Sequence, residues 1–315
     1  MNDLHLLPKV RDSWSYLYVE HKKIDQEDKA IALHDKSGKI AVPCASLTVL
    51  LLGPGTSITH AAVKVLADNG CLVMWTGEGA VRFYAQGLGE TRSARNLLHQ
   101  ARLVSVPELR LQVVRRLYEM RFTESLDTSL TLQQIRGREG IRVREAYAKA
   151  SRETGVPWSG RSYRRDNWFS ADPINRALSA ANSCLYGVCH AAIVAAGYSP
   201  ALGFIHTGKM LSFVYDLADL YKADLTVPLA FDMTAAGTEA LESRVRKECR
   251  DRFYASRLLQ RIIPDIEKAL SVADAETMQE GDYDTDMALP GDLWDAENGT
   301  ASGGVNWADK PEGSE

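Results

Sequence analysis

Cysteine is scarce in this sequence and is not arranged in a recognisable motif. There are five cysteines, an odd number, and no Cys-X-X-Cys pair. This usage argues against a disulfide framework and against structural zinc, which favours thiolates at close spacing. Gly-X-Gly-X-X-Gly and Walker-type phosphate loops are absent too, which argues against a nucleoside triphosphate cofactor. The cysteines are therefore predicted to be reduced, buried thiols in a cytoplasmic protein.

Long uninterrupted apolar runs are also missing. The first fourteen residues carry charges where the apolar part of a signal peptide would lie. The longest apolar-rich run, 177–196, is interrupted by Ser179, Asn182, Ser183 and His190. This run is typical of a buried core helix rather than a membrane span. We expect no contact with a membrane.

Positive charge is lacking at the C-terminal end. Residues 274–315 contain twelve acidic residues and one lysine, a formal charge of −11, whereas the whole chain carries −4. The preceding 273 residues therefore carry +7. A basic body suits a polyanionic partner. The acidic tail is predicted to be disordered, or to dock on the basic surface of a partner.

Local patterns divide the chain into segments 1–86, 87–273 and 274–315. The first contains short β-prone runs separated by Gly- and Pro-containing turns, at 15–19, 30–33, 40–42, 49–52, 71–75 and 81–84. It also has one predicted helix over 58–68, capped by Ser57. The second segment has helical periodicity to about residue 270, with a break expected at Pro264.

The predicted fold class is therefore α+β. We expect a small N-terminal β-domain with one helix, which dimerises through an exposed face. A C-terminal all-α domain would house the catalytic site, and an acidic disordered tail would follow it.

The stretch 203–224 carries the strongest candidate site. His206 lies in a glycine-bounded turn, and Asp216 and Asp219 are spaced to share one face of the helix that follows. Glu139 stands among four arginines in an earlier helical segment, at positions 136, 138, 142 and 144. Carboxylates with one imidazole suit Mg²⁺ or Mn²⁺, and arginines suit the phosphates that approach such an ion.

Each of these residues also has a structural interpretation. Glu139 could pair with Arg142 on an exposed helix, His206 could cap or pack, and the aspartates could form a solvated helix face. Tyr186 could be a buried tyrosine with a satisfied hydroxyl, or a group that faces DNA.

A second candidate surface is the segment 158–168. It interleaves aromatic residues with arginines that include Arg161 and Arg164. This composition suits phosphate contacts with base or sugar stacking. A surface loop with ordinary cation–π pairs would have the same composition.

Three long motifs are specific enough to suggest a family. They are RGREGIRVREAY, SAANSCLYGVCHAAIVAAGYSPALGFIHTGK and LSFVYDLADLYKADLTVP. Together they resemble the universal CRISPR adaptation integrase, the CRISPR-associated endonuclease of spacer acquisition, in its Cascade-linked I-E form. The resemblance runs from near the N-terminus to about residue 270 and leaves out the acidic tail.

The resemblance implies roles for individual residues. It implies that Glu139, His206 and Asp219 bind the metal, that Asp216 is a further functional carboxylate and that Tyr186 is an active-site tyrosine. It also implies DNA contacts by Arg82, Arg138, Arg142, Lys209 and Lys222.

The resemblance also implies an assembly and a reaction. Members form homodimers through the N-terminal region, and two dimers flank a dimer of a second, small adaptation protein in a four-to-two complex. The complex holds double-stranded DNA with 3′ overhangs and inserts it at the leader–repeat boundary of a CRISPR array by transesterification. Two alternatives remain open: a structure-specific, metal-dependent DNA nuclease in repair, and a non-enzymatic DNA-binding scaffold.

Overall fold

The computed structural model describes residues 16–36, 38–44, 47, 49–78, 83–87, 94–127, 129–160, 172–272, 293–295 and 299–301. Within them, strands dominate up to residue 87 and helices dominate from residue 95 to residue 270. This arrangement confirms the predicted α+β fold class. The exact domain boundaries stay a prediction.

The N-terminal strands form two sheets. The strands are β1 (Tyr16–Val19), β2 (Lys23–Glu27), β3 (Ala30–Asp35), β4 (Gly38–Pro43), β5 (Val49–Leu52), β6 (Ser57–Ile58), β7 (Leu72–Thr76) and β8 (Phe83–Gly87). One sheet has the order β1-β5-β7-β8, with parallel pairing except between β7 and β8. The other has the order β4-β3-β2-β6, in which only β2 and β6 pair in parallel.

Helix α1 (His60–Asp68) lies between β6 and β7 in the sequence, and its N-cap is not the predicted Ser57. Thr59 is the N-cap, and its hydroxyl accepts a hydrogen bond from the N–H of Ala62. Ser57 belongs to β6, because its backbone pairs with Lys23 of β2. The local pattern predicted Ser57 as the N-cap, but strand pairing places Ser57 in β6 and the helix begins two residues later than predicted.

The helical region is built around one long central helix. The helices are α2 (Arg95–Ser105), α3 (Pro107–Glu119), α4 (Leu132–Thr154), α5 (Pro173–Ala195), α6 (Ser212–Ala218), α7 (Val227–Ala235), α8 (Leu241–Ala255) and α9 (Leu258–Leu270). A π-helical turn, Lys222–Thr226, joins α6 to α7. Helix α5 is long and apolar enough to cross a membrane, but 72% of its most apolar window is buried inside the molecule. It is a core helix, as its composition predicts.

The expected break at Pro264 is wrong. Pro264 lies inside α9, and the chain turns earlier, at Arg257, whose φ of 49° is left-handed. Proline removes the hydrogen bond to the carbonyl four residues earlier, that of Gln260, and Gln260 is exposed, so water can reach this carbonyl.

The first sheet packs directly against the C-terminal part of α5. Leu51 and Met74 of the sheet form one buried cluster with Ala191 and Val194 of the helix. Of the predicted disordered tail, the structure describes one short antiparallel pair, β9 (Leu293–Asp295) with β10 (Gly299–Ala301). The rest of the tail lies outside the described residues.

Candidate functional site

The turn that carries His206 is held by the buried carboxylate of Asp216. Asp216 Oδ2 accepts hydrogen bonds from the backbone N–H groups of Phe204 at 2.6 Å and Ile205 at 3.1 Å. Its Oδ1 accepts from the His206 backbone N–H at 2.8 Å, and lies 2.7 Å from His206 Nδ1. Asp216 is fully buried. The spacing predicted that Asp216 and Asp219 share one exposed face of the helix. That prediction is wrong, because Asp216 is buried.

Close backbone contacts also fix this turn. A Cβ on Gly203 would lie 2.4 Å from the carbonyl oxygen of His206, so only glycine lets the chain fold back here. Arg110 of α3 binds the carbonyl of Phe204 through Nε and Nη2, at 3.1 and 2.9 Å. The turn is thus clamped at both its N–H and its C=O groups.

The clamp determines which nitrogen His206 presents. Asp216 Oδ1 is an acceptor, so His206 Nδ1–H donates to it and Nε2 keeps its lone pair in the neutral ring. The His206 side chain is 41% exposed. A carboxylate behind the imidazole is the common support of a metal-binding histidine.

Asp219 and Lys222 form a second charged pair just after α6. Lys222 Nζ lies 2.7 Å from Asp219 Oδ1 and 4.9 Å from the centre of the Tyr186 ring. Burial on its own lowers the pKa of Lys222, but the Asp219 carboxylate and the Tyr186 hydroxyl outweigh it, and the pKa is raised overall. Lys222 is therefore a fixed positive charge rather than a base.

Glu139 of α4 is held by a bidentate contact with Arg142. Arg142 Nε lies 2.8 Å from Glu139 Oε2, and Nη2 lies 3.0 Å from Oε1. This hydrogen bonding to Glu139 raises the pKa of Arg142. The structural interpretation of the pair is correct in part, but Glu139 is only 9% exposed, so it does not lie on a solvated helix surface.

One arginine links the carboxylates of Glu139 and Asp219, and it is not among the residues predicted for the site. Arg121, just after α3, lies with Nη1 3.3 Å from Glu139 Oε1 and with Nη2 3.5 Å from Asp219 Oδ2. Its side chain is 4% exposed. The contacts span 18 and 98 positions, so no local sequence pattern could have revealed them.

Aromatic rings join the histidine turn to this charged group. Tyr215 of α6 makes edge-to-face contacts with His206 at 5.8 Å and with Tyr186 at 5.0 Å between ring centres. Tyr186, on α5, in turn lies beneath Lys222. The five predicted catalytic residues, Glu139, Tyr186, His206, Asp216 and Asp219, therefore belong to one network of contacts.

The donor chemistry of this network fits Mg²⁺ or Mn²⁺. Glu139 and Asp219 offer carboxylate oxygens, and His206 offers an imidazole nitrogen whose orientation is fixed. In the part of the chain that the structure describes, however, no three His, Cys, Asp or Glu side chains lie close enough together to hold an ion. If Glu139, His206 and Asp219 are all to bind one ion, the carboxylate oxygens would have to turn towards it. These oxygens now contact Arg121, Arg142 and Lys222.

The predicted DNA contacts differ in their surroundings. Arg138 and Lys209 are exposed, whereas Arg142 and Lys222 are half-buried and engaged with carboxylates. Three further predicted contacts lie outside the described residues: Arg82, Arg161 and Arg164.

Comparisons with known proteins identify the family. A family model described as CRISPR associated protein Cas1 matches residues 119–244, which include the whole candidate network. A curated protein of Thermus thermophilus, CRISPR-associated endonuclease Cas1 2, is 56% identical over 318 residues, covering 99% of this chain and 96% of the relative. This chain belongs to the Cas1 family.

Solved Cas1 structures have the same fold. The crystal structure of a TtCas1–DNA complex matches with a TM-score of 0.79 and 60% identity, covering 84% of this chain and 99% of that one. A casposase bound to integration product matches with a TM-score of 0.51 at 13% identity, a likeness of fold alone. The Cas1 network described above thus lies in a fold already known from a DNA complex.

Proposed function

We propose that this Cas1 protein is a metal-dependent DNA integrase of CRISPR adaptation, in the Cascade-linked I-E form, with associated endonuclease activity. It joins the 3′-hydroxyls of a prespacer to the repeat boundary of a CRISPR array by transesterification. Because one phosphodiester replaces another, the reaction needs no ATP. Family membership supports the role in CRISPR adaptation.

One observation carries the chemistry. Two carboxylates, Glu139 and Asp219, share a single guanidinium, and His206 is joined to the same network through tyrosines. Glu139, His206 and Asp219 would hold the Mg²⁺ or Mn²⁺, which when bound supplies electrostatic stabilisation of charge on the reacting phosphate.

The other residues orient and neutralise. Asp216 holds the proton on His206 Nδ1, so that Nε2 faces outward. Arg142 and Lys222 remain charged beside the carboxylates and are placed to hold phosphate oxygens. Tyr186 positions Lys222 through its ring and hydroxyl and forms no covalent bond to DNA.

The DNA partner follows from the charge distribution. Exposed residues such as Arg138 and Lys209 would contact the backbone of duplex DNA and of its 3′ overhangs, with affinity that falls steeply with salt. The similarity to the TtCas1–DNA complex supports DNA as the partner.

The assembly is proposed on the family resemblance. The protein forms a cytoplasmic homodimer through its β-rich region. Two dimers bind a dimer of the second, small adaptation protein, and this complex engages the CRISPR leader–repeat DNA.

A strand-transfer assay tests the reaction. Wild-type protein with its small adaptation partner, Mg²⁺ or Mn²⁺, and a labelled 3′-hydroxyl duplex should join the label covalently to a supercoiled plasmid that carries a repeat. Asp219→Ala should lose the joined product. Nicked plasmid without joined label would instead support the structure-specific nuclease, which uses water as the nucleophile.

A further inference from the structure

Arg121 is short of partners for a buried guanidinium. Its side chain is 4% exposed, and its positive charge lies over the Tyr118 ring at 4.9 Å. Nη1 donates to Glu139, but Nε and Nη2 make no hydrogen bond within the described residues. Arginine has five N–H donors, so most of its hydrogen-bonding capacity goes unused. A buried guanidinium with unused donors costs free energy, because the hydration it loses is not fully replaced by hydrogen bonds.

The neighbouring carboxylates do not depend on Arg121 for pairing. Glu139 already has a bidentate contact with Arg142, and Asp219 has Lys222 at 2.7 Å. Arg121 adds a third cation to two anions, so the group formed by these five side chains has a net charge of +1. Of these three cations, Arg121 is the one that contacts both carboxylates. Its distinct contribution is therefore to hold the two carboxylates in fixed relative positions.

We propose that Arg121 is a positioning residue that sets the separation of the Glu139 and Asp219 carboxylates and weakens their binding of a divalent cation. This inference rests on the proposed function, because it takes these two carboxylates as metal ligands. A divalent ion held by both carboxylates would lie near the Arg121 guanidinium, which contacts both of them, and the two positive charges would repel each other. Arg121 thus lowers the affinity for the ion while it keeps the two ligands aligned.

A variant without the positive charge of Arg121 separates its effect on metal affinity from its effect on the alignment of the carboxylates. Arg121→Met should bind Mn²⁺ more tightly, by at least about fivefold, because a buried positive charge near the ion has gone. The same variant should transfer strands more slowly, since the carboxylates lose the group that spans them. A merely structural role would weaken Mn²⁺ binding and activity together.

Conservative and matched variants isolate the cause. Arg121→Lys keeps the charge, so its Mn²⁺ affinity should stay within about twofold of the wild type. Arg115→Met removes a positive charge from α3 whose Nη1 binds the carbonyl of Leu130 rather than a carboxylate, and should leave the affinity unchanged. Arg121→Gln is a second neutral variant for use if Arg121→Met does not fold by circular dichroism.

The experiment is titration of the full-length variants with Mn²⁺, followed by electron paramagnetic resonance of the free ion. Tighter binding by the neutral Arg121 variants, with Arg121→Lys and Arg115→Met near the wild type, supports the inference. Equal or weaker binding by the neutral variants, while Asp219→Ala abolishes binding, overturns it and leaves the proposed metal site intact. Equal binding by the wild type and Asp219→Ala overturns both the metal site and the role of Arg121.

Discussion

Asp216 and Asp219 are three positions apart but have different surroundings. Asp216 is fully buried and satisfies three backbone N–H groups and an imidazole, so its oxygens have no room for an ion. Asp219 is partly exposed and its contacts are with side-chain cations. For the proposed metal site, this difference favours Asp219 as the ligand and Asp216 as its support. Sequence spacing could not distinguish them, because the difference comes from the backbone turn at 204–206.

Asp216→Ala should destabilise the protein strongly. The substitution leaves three backbone N–H groups without their acceptor in a buried site, at a cost of about 3 kcal/mol or more in the free energy of unfolding. His206→Ala removes a side chain that is 41% exposed and should cost less than about 1 kcal/mol. Urea denaturation of both variants measures the difference, and a loss below about 1 kcal/mol in Asp216→Ala would contradict the clamp.

At the scale of elements, hydrophobic pattern predicted most of the architecture. The apolar run at 177–196 became α5, and the runs at 49–52 and 71–75 became the central strands β5 and β7. Strand β2 was missed because only Ile24 of its five residues is buried, so its sequence has no alternation to detect. Its strand character comes from pairing with β3 and β6, which is not local information.

The π-helical turn after α6 places Lys222 next to Asp219, and Thr226 fastens this turn to α5. The fully buried Thr226 hydroxyl donates to Asn182 Oδ1 at 2.8 Å. Asn182 is itself buried. The bond therefore ties the element that carries Lys222 to the helix that carries Tyr186.

Thr226→Val should loosen this connection. The variant keeps the shape but leaves a buried amide oxygen without its donor, which should cost about 1–2 kcal/mol in the free energy of unfolding. Thr234→Val is the matched control, because within the described residues the Thr234 hydroxyl donates only to the carbonyl of Ala230, one helical turn away. Urea midpoints compare the two, and equal losses would mean that the Asn182 contact has no special role.

At the scale of the whole molecule, the β-rich and helical regions meet at α5. The imidazole of His190 lies against Phe83 of β8, with 3.8 Å between ring centres. Burial lowers the pKa of His190 to about 4, from an ordinary value of 6.5. The sequence marked His190 only as a polar interruption in an apolar run, since its partner is more than a hundred positions away.

The free energy of unfolding should therefore decrease as the pH is lowered below about 6.5. Between pH 6.5 and about 4, His190 is protonated in the unfolded chain but stays neutral in the folded protein. Lowering the pH therefore stabilises the unfolded state relative to the folded state. His190→Leu should lose less stability than the wild type between pH 7.5 and pH 5, measured by urea denaturation. His60→Leu, at an exposed position of α1, is the control and should keep the wild-type dependence. An unchanged pH dependence in His190→Leu would contradict the assignment.

The central claim is that the network around His206 performs chemistry on DNA rather than only binding it. The most direct test measures DNA affinity and strand transfer on the same preparation of His206→Ala and of the wild type. Because His206 is partly exposed and is not needed to hold its turn, the variant should bind DNA about as tightly while losing strand transfer by at least about a hundredfold. Strand transfer at the wild-type rate by His206→Ala would contradict the account and support a DNA-binding scaffold.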